Sequence, residues 1–420
     1  MTSEPSGPAE TRGDSHERLL LFVLAAIQFT TVLDFLIILP LGPQYLRVFH
    51  ITPGQFSIIV SAYAIAAGIS GVLAGLCLDR FDRKRALLVL YFGFTIGTLC
   101  CALANSYYVL VAARAVAGAF GGVAGALILA IIGDVIPENR RGAAMGLVMS
   151  SFSVASICGV PLGLLLATHL NWHVPFFALA GLSALVLVAA ARVLPSLRGH
   201  LAHLADHHPA IELVAILRRP SHQLAFLFMA VLTFTGFNIF PHLANYMVAN
   251  VGLSEEQLPL IYLTGGLCTL FSMNWIGRWA DRSGKLKVFT IMSLSSLVPI
   301  FLLTNLPRSP LAVALATSTL LMICMSGRMV PAMAMMTAAV EPRHRGAFMS
   351  LNSSVQQFAC GVASLVSGSI IGLAADGRMT RFRVVGGLSL ACALLCIYLA
   401  RFVKGPERKT VVDDSLALAG

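Results

Sequence analysis

Twelve long, mainly apolar runs follow one another along this sequence, near residues 18–44, 53–78, 86–105, 106–134, 142–170, 172–195, 221–249, 255–280, 286–305, 309–338, 346–374 and 384–404. A helix rises about 1.5 Å per residue, so about 20 such residues cross the hydrocarbon of a bilayer. No water is at hand there for backbone groups, so only helices and closed barrels are stable. Runs of this length without two-residue alternation predict helices. Composition leads the same way: 57% of the 420 residues are hydrophobic and 11% charged, where soluble domains carry roughly 25% charged. The expected fold is an all-α membrane protein with twelve transmembrane helices.

Charge marks where the chain leaves the bilayer. The stretch from Gly75 to Arg85 separates two apolar runs, and its last ten residues hold two acids (Asp79, Asp82) and four bases (Arg80, Arg83, Lys84, Arg85). Burying such ions in hydrocarbon is too costly, so the turn must emerge into water. By the positive-inside rule it emerges into the cytoplasm. With both termini on that side, 22 of the 29 bases face the cytoplasm. Arg47, Arg308, Arg378, Arg381 and Arg383 fall outside, and Arg114 and Arg328 lie within spans. The net charge of +10 is therefore a signal of topology and not of a nucleic-acid partner. The expected setting is a multi-pass protein of a plasma membrane, such as a bacterial inner membrane. The first apolar run is too long for the core of a signal peptide, so it is expected to stay as the first span.

The turn recurs. Gly277, Asp281, Arg282, Gly284, Lys285 and Lys287 repeat the glycine, the Asp-Arg pair and the later bases 202 positions on. Arg141-Gly142 returns as Arg345-Gly346 at an offset of 204. Two matches at nearly one offset predict a duplicated bundle. The expected organisation is a tail at 1–17, six helices at 18–195, a cytoplasmic linker at 196–220, six helices at 221–404 related to the first by a pseudo-two-fold axis, and a tail at 405–420.

Gly75, Asp79, Arg80, Arg83 and Leu87 together resemble the loop signature of the major facilitator superfamily of transporters, with Asp82 where the family usually has glycine. The second copy keeps its glycine as Gly284. Arg114 followed by Gly118, Gly121, Gly122 and Gly125 is similar to the family's second signature. Asp34 with Pro40 resembles the first helix of the twelve-span drug/proton antiporter branch, and Gly159, Pro161 and Gly163 partly match that branch's glycine-proline signature. The resemblance covers residues 18 to 404. It implies alternating access by two rocking bundles, a small-molecule substrate, protons carried by an acid on the first helix, and a monomer. Gln28 stands where some members have a second acid, so Asp34 is the expected carrier here.

The residues support a site independently of the resemblance. An unpaired carboxylate in hydrocarbon faces a cavity, finds a partner, takes a proton or only fixes helix packing. Asp34 and Arg114 each fall roughly 12 Å below the outer ends of their helices, so a pair at matching depth is allowed; otherwise Arg114 snorkels outward. Gln28, Tyr63, Asn238, His242, Arg328 and Gln356 are candidates for the substrate cavity, or else glue between helices at about 1 kcal/mol each. Arg328 has no acid within the interior of any span of the second half to pair with. Gly75, Asp79, Arg80, Arg83, Gly277, Asp281 and Arg282 form the candidate gating loops. Asp134, Glu138, Arg140 and Arg141 are placed to pair with the bases of the 79–85 turn. Gly159, Pro161 and Gly163 should bend the fifth helix, and Pro241 the seventh.

Other chemistry finds no footing. There is no ATP-binding loop with its lysine, no nucleophile with a base, and no metal spacing among the nine cysteines or among His200, His203, His207 and His208. No enzyme activity and no cofactor is expected, which leaves an ion gradient as the energy source. The expected function is proton-coupled efflux of a small organic solute or drug. The alternatives are a uniporter or proton-coupled uptake symporter for a metabolite, and a scaffold or sensor that no longer transports.

Overall fold

The computed structural model describes residues 10–197, 209–341 and 344–403. Eleven of its helices are long and apolar enough to cross a membrane: His16–Ile37, Pro53–Cys77, Arg83–Ala102, Tyr107–Val135, Glu138–His169 and His173–Val193 in the first half, then Pro220–Val251, Glu255–Ser283, Lys285–Thr304, Leu311–Ala338 and Phe382–Ala400 in the second. The twelfth member, eleventh in order, is the 26-residue helix Arg345–Ile370. It is less apolar because Asn352, Ser354, Gln356, Gln357, Ser364 and Ser367 punctuate it. Several of these groups turn inward. Ser364 donates to the Ser57 carbonyl at 3.3 Å, and Ser354 lies where a side chain on Gly71 would have to go. The second and eleventh helices, one from each half, thus approach closely through small residues.

Prolines decide where the helices depart from the expected runs. The run at 18–44 is not one helix: the first helix ends at Ile37, and the chain restarts as Gly42–Val48 after a turn. Pro40 has no N–H to give and disfavours helical backbone at the residue before it, while Pro43 starts the short helix. In the fifth span a π-turn at Ala155–Gly159 absorbs the hydrogen bond that Pro161 cannot make. In the seventh the break falls at Asn238–Ile239, just ahead of Pro241, and the helix resumes as Phe240–Tyr246. A second π-turn, Met247–Val251, ends it at Gly252 with φ 89°. The eleventh helix stops at Ile370, short of the expected 374, and gives way to a hairpin pairing Gly372–Leu373 with Met379–Thr380. Within the expected linker, Pro209–Arg218 is helical.

The distribution of core side chains fixes the shape of the gap between the halves. On the face away from the 79–85 turn one apolar core joins both halves, with Tyr45, Phe56 and Phe176 packed in the same cluster as Leu243, Met247 and Phe382. Toward the basic face each half closes around its own core. Leu24, Tyr91, Phe94 and Ile128 serve the first half, and Phe228, Phe289, Met336 and Phe348 the second. The molecule is therefore sealed across its halves at the distal face.

Candidate functional site

The site begins with how closely the second and fourth helices lie. A Cβ on Gly118 would overlap the Tyr63 backbone, so only glycine allows the approach. That approach sets the Arg114 guanidinium over the Tyr63 ring, 4.4 Å from its centroid, within cation–π range. Across from it, on the first helix, Asp34 receives an Arg114 Nη1 hydrogen bond on Oδ2 at 2.7 Å. The same nitrogen donates to the Asp34 carbonyl at 3.1 Å. Thr98 of the third helix donates to Oδ1 at 3.1 Å. Three helices of the first half thus meet on one carboxylate, and the second packs Tyr63 against its arginine. Asp34 and Arg114 are both fully buried, and Arg114 keeps Nε and Nη2 without partners.

The residue after Asp34 connects this pair to the other half. Phe35 packs against Tyr63, with centroids 5.4 Å apart, and against Phe237 of the seventh helix at 5.8 Å. Below Asp34, Thr30 hydrogen-bonds the Tyr91 hydroxyl at 2.8 Å. Gln28, half-buried, leaves its Oε1 unpartnered. A displacement at Asp34 therefore has a packed route to the second half.

The other expected cavity residues do not all gather here. His242 is fully buried in the distal seam: its Nε2 hydrogen-bonds Ser57 Oγ at 3.0 Å, and its ring meets Phe56 edge-on. In this conformation it clasps the two halves and does not line an open cavity, because the break before Pro241 carries it toward the second helix. Asn238, at that break, is buried with neither amide atom partnered. Arg328 is buried in the tenth helix, with Nη2 on Met325 Sδ at 2.8 Å. Gln356 is half-buried one turn from buried Asn352.

The two loop signatures are built differently. After Gly75 the first copy forms a short turn at Leu78–Arg80, with Arg80 exposed; the Asp79 side chain lies outside the described residues. Arg83 pairs with Asp134 at 2.9 Å. Asp82 caps the next helix through Lys84 N at 2.9 Å and accepts from Ser196 Oγ at 2.7 Å and Leu197 N at 3.2 Å. It thereby ties the turn to the end of the sixth helix. In the second copy the helix runs on through Gly277, Asp281 and Arg282 to Ser283. There Asp281 and Arg282 are exposed, and Gly284 makes the turn at φ 93°. Of the charges expected to pair with the first turn, Asp134 does. Arg140 meets Glu17 at 2.5 Å, and Arg141 meets the Ile136 carbonyl at 3.4 Å and Glu138 at 3.9 Å. Gly159 and Gly163 face Leu33 and Ile37 of the first helix on either side of Pro161.

Thr98 and the distal ion pair of Arg47 with Glu255 escaped the sequence reading. A threonine within an apolar run carries no local mark. The Arg47–Glu255 pair joins positions 208 apart, and the only cue is that acids are scarce on the distal loops. Among the described residues no group of three or more His, Cys, Asp or Glu is arranged to hold a metal, and the four linker histidines lie outside the described residues.

Comparison with known proteins adds the lineage. The family model described as Major Facilitator Superfamily matches residues 24–243 and 225–417. An uncharacterized MFS-type transporter of Bacillus subtilis (strain 168), YceJ, is 25% identical over 350 residues, covering 83% of this chain and 88% of its own. A chloramphenicol resistance protein of Streptomyces lividans is 27% identical over 232 residues, 55% of this chain and 59% of its own. Among solved structures, the inward open conformation of the xylose transporter XylE from E. coli superposes with a TM-score of 0.71 at 16% identity, over 93% of this chain and 97% of that one.

Proposed function

Because the chain belongs to the major facilitator superfamily of membrane transporters, we propose that it exports a small organic solute in exchange for protons, by alternating access of its two six-helix bundles. The observation that carries this reading is the fully buried Asp34, held by Arg114 and Thr98 and abutting the second half through Phe35 and Phe237. A carboxylate so placed exchanges its arginine for a proton only if the helices around it shift, which couples protonation to the rocking of the halves. The basic face is then the cytoplasmic one, both termini and the linker lie there, and the distally sealed form is the one open to the cytoplasm. The setting is a bacterial inner membrane, the unit is a monomer, and the proton gradient serves in place of any cofactor. A relative named for chloramphenicol resistance supports export over uptake.

The test is transport in inverted vesicles under an imposed proton gradient. The expected result is solute accumulation that collapses with the gradient in the parent protein and is absent in Asp34→Asn, while solute-for-solute exchange persists. Accumulation in right-side-out vesicles instead would make the protein an uptake symporter. Gradient-driven accumulation that survives Asp34→Asn would remove Asp34 from the coupling.

A further inference from the structure

The first half balances its deeply buried charge, since Arg114 neutralises Asp34. The second half does not. Arg328 is 2% exposed, and among the described residues no carboxylate pairs with it. Of its guanidinium nitrogens, Nη2 reaches the Met325 thioether at 2.8 Å, a weak acceptor one turn back on its own helix. Nε and Nη1 have no partner at all. Its electrostatic neighbours are the thiols Cys324, Cys392 and Cys396.

That the unpaired group is an arginine matters. A buried lysine or aspartate can shed its charge by exchanging a proton, but a guanidinium stays protonated in proteins. An uncompensated one in a low-dielectric interior costs several kcal/mol. Nor is it solitary: the amide atoms of Asn238 and Asn352 and the hydroxyl of Ser389, on three other helices of this half, are also buried without partners. Buried donors left unsatisfied within a transporter's spans are those a polar ligand group would satisfy. The planar guanidinium matches oxyanions in geometry as well as charge. On the same helix Met322, Met329 and Met333 are half-buried, and such flexible, polarizable side chains accommodate apolar bodies of varied shape.

We propose that Arg328 holds the carboxylate, or an equivalent oxyanion, of the carried solute, so that the substrates are amphipathic organic anions or zwitterions and not neutral or purely cationic compounds. The inference rests on the transport reading above and is independent of its proton coupling. Inorganic anions share the chemistry, and the experiment separates the two sources.

The full-length protein in detergent is titrated with 3-phenylpropionate, with its amide and with 3-phenylpropylamine, and in parallel with chloride and sulfate, following thermal unfolding by tryptophan fluorescence. The expected result is protection by the carboxylate at concentrations about tenfold lower than by the amide or the amine, the size of one charge-assisted hydrogen bond. Arg328→Gln should abolish that preference, and Arg328→Lys should keep part of it. If Arg328→Gln does not yield a monodisperse protein, the parent panel and Arg328→Lys decide alone. Equal protection by the amide, no protection by the carboxylate, or an unchanged preference in Arg328→Gln would overturn the proposal. So would chloride or sulfate binding that the carboxylate does not displace, which would leave the guanidinium with an inorganic ion only. Asp34→Asn should retain the anion preference; gradient-driven accumulation that survives in that variant, with the preference intact, would count against the exchange mechanism and not against Arg328.

Discussion

Asp34, Arg114 and Thr98 form a buried polar unit in which each member depends on the others. Removing one partner of such a pair leaves an uncompensated charge in a dry interior, at about 3–5 kcal/mol. Arg114→Ala is therefore expected to lower the thermal midpoint in detergent markedly, while the double variant Asp34→Asn with Arg114→Gln, which carries no charge, should recover much of the loss. An additive double variant would mean that the two side chains do not stabilise each other. Thr98→Val removes a single hydrogen bond to a charged group, worth about 1.5–3 kcal/mol, and should weaken the unit less than Arg114→Ala. The pair was legible in the sequence because both residues are charged and their depths can be counted from the helix ends. Thr98 was not, since a hydroxyl in an apolar run gains its role only from which helix lies opposite.

At the scale of elements, prolines announced bends that the sequence could locate but not orient. Pro161 and Pro241 were readable as kinks, yet that a π-turn would precede the first and that the second would carry His242 into the distal seam depends on packing between helices far apart in the chain. The loop signature was legible as a motif and as a surface turn. Its departure from the family pattern, Asp82, was readable only as a missing glycine, whereas in the structure it fastens the turn to Ser196 and Leu197. Asp82→Gly should free the end of the sixth helix while leaving the Arg83–Asp134 pair intact. With the native cysteines removed, a cysteine placed at Leu197 should then react faster with maleimide than in the parent background. Equal rates would show that the aspartate does not hold that end. Sidedness belongs to the same experiment: a cysteine replacing Ser196 should resist an impermeant reagent in intact cells, and labelling there would overturn the cytoplasmic placement of the linker.

For the whole molecule, the duplicated signatures made two bundles legible, but nothing in one sequence says which face is closed. That follows from the core, continuous between halves only at the distal face, and from two polar clasps there, Ser57 with His242 and Arg47 with Glu255. They differ in worth. The Arg47 side chain is 65% exposed, and pairs of this kind contribute about 0–1 kcal/mol, screened by salt. The Ser57–His242 bond is buried, and cutting it strands a polar group, at about 1–3 kcal/mol. Since about 1.4 kcal/mol is a tenfold change in an equilibrium, Glu255→Gln should raise the distally open population by at most about fivefold, less at high salt. His242→Leu strands Ser57 inside the seam and should raise that population by about tenfold or more. Spin labels on the distal ends of the first and eighth helices, with distances measured by pulsed electron resonance, read both populations. A larger shift for Glu255→Gln than for His242→Leu would mean that the surface ion pair, and not the buried seam, holds the distal face closed.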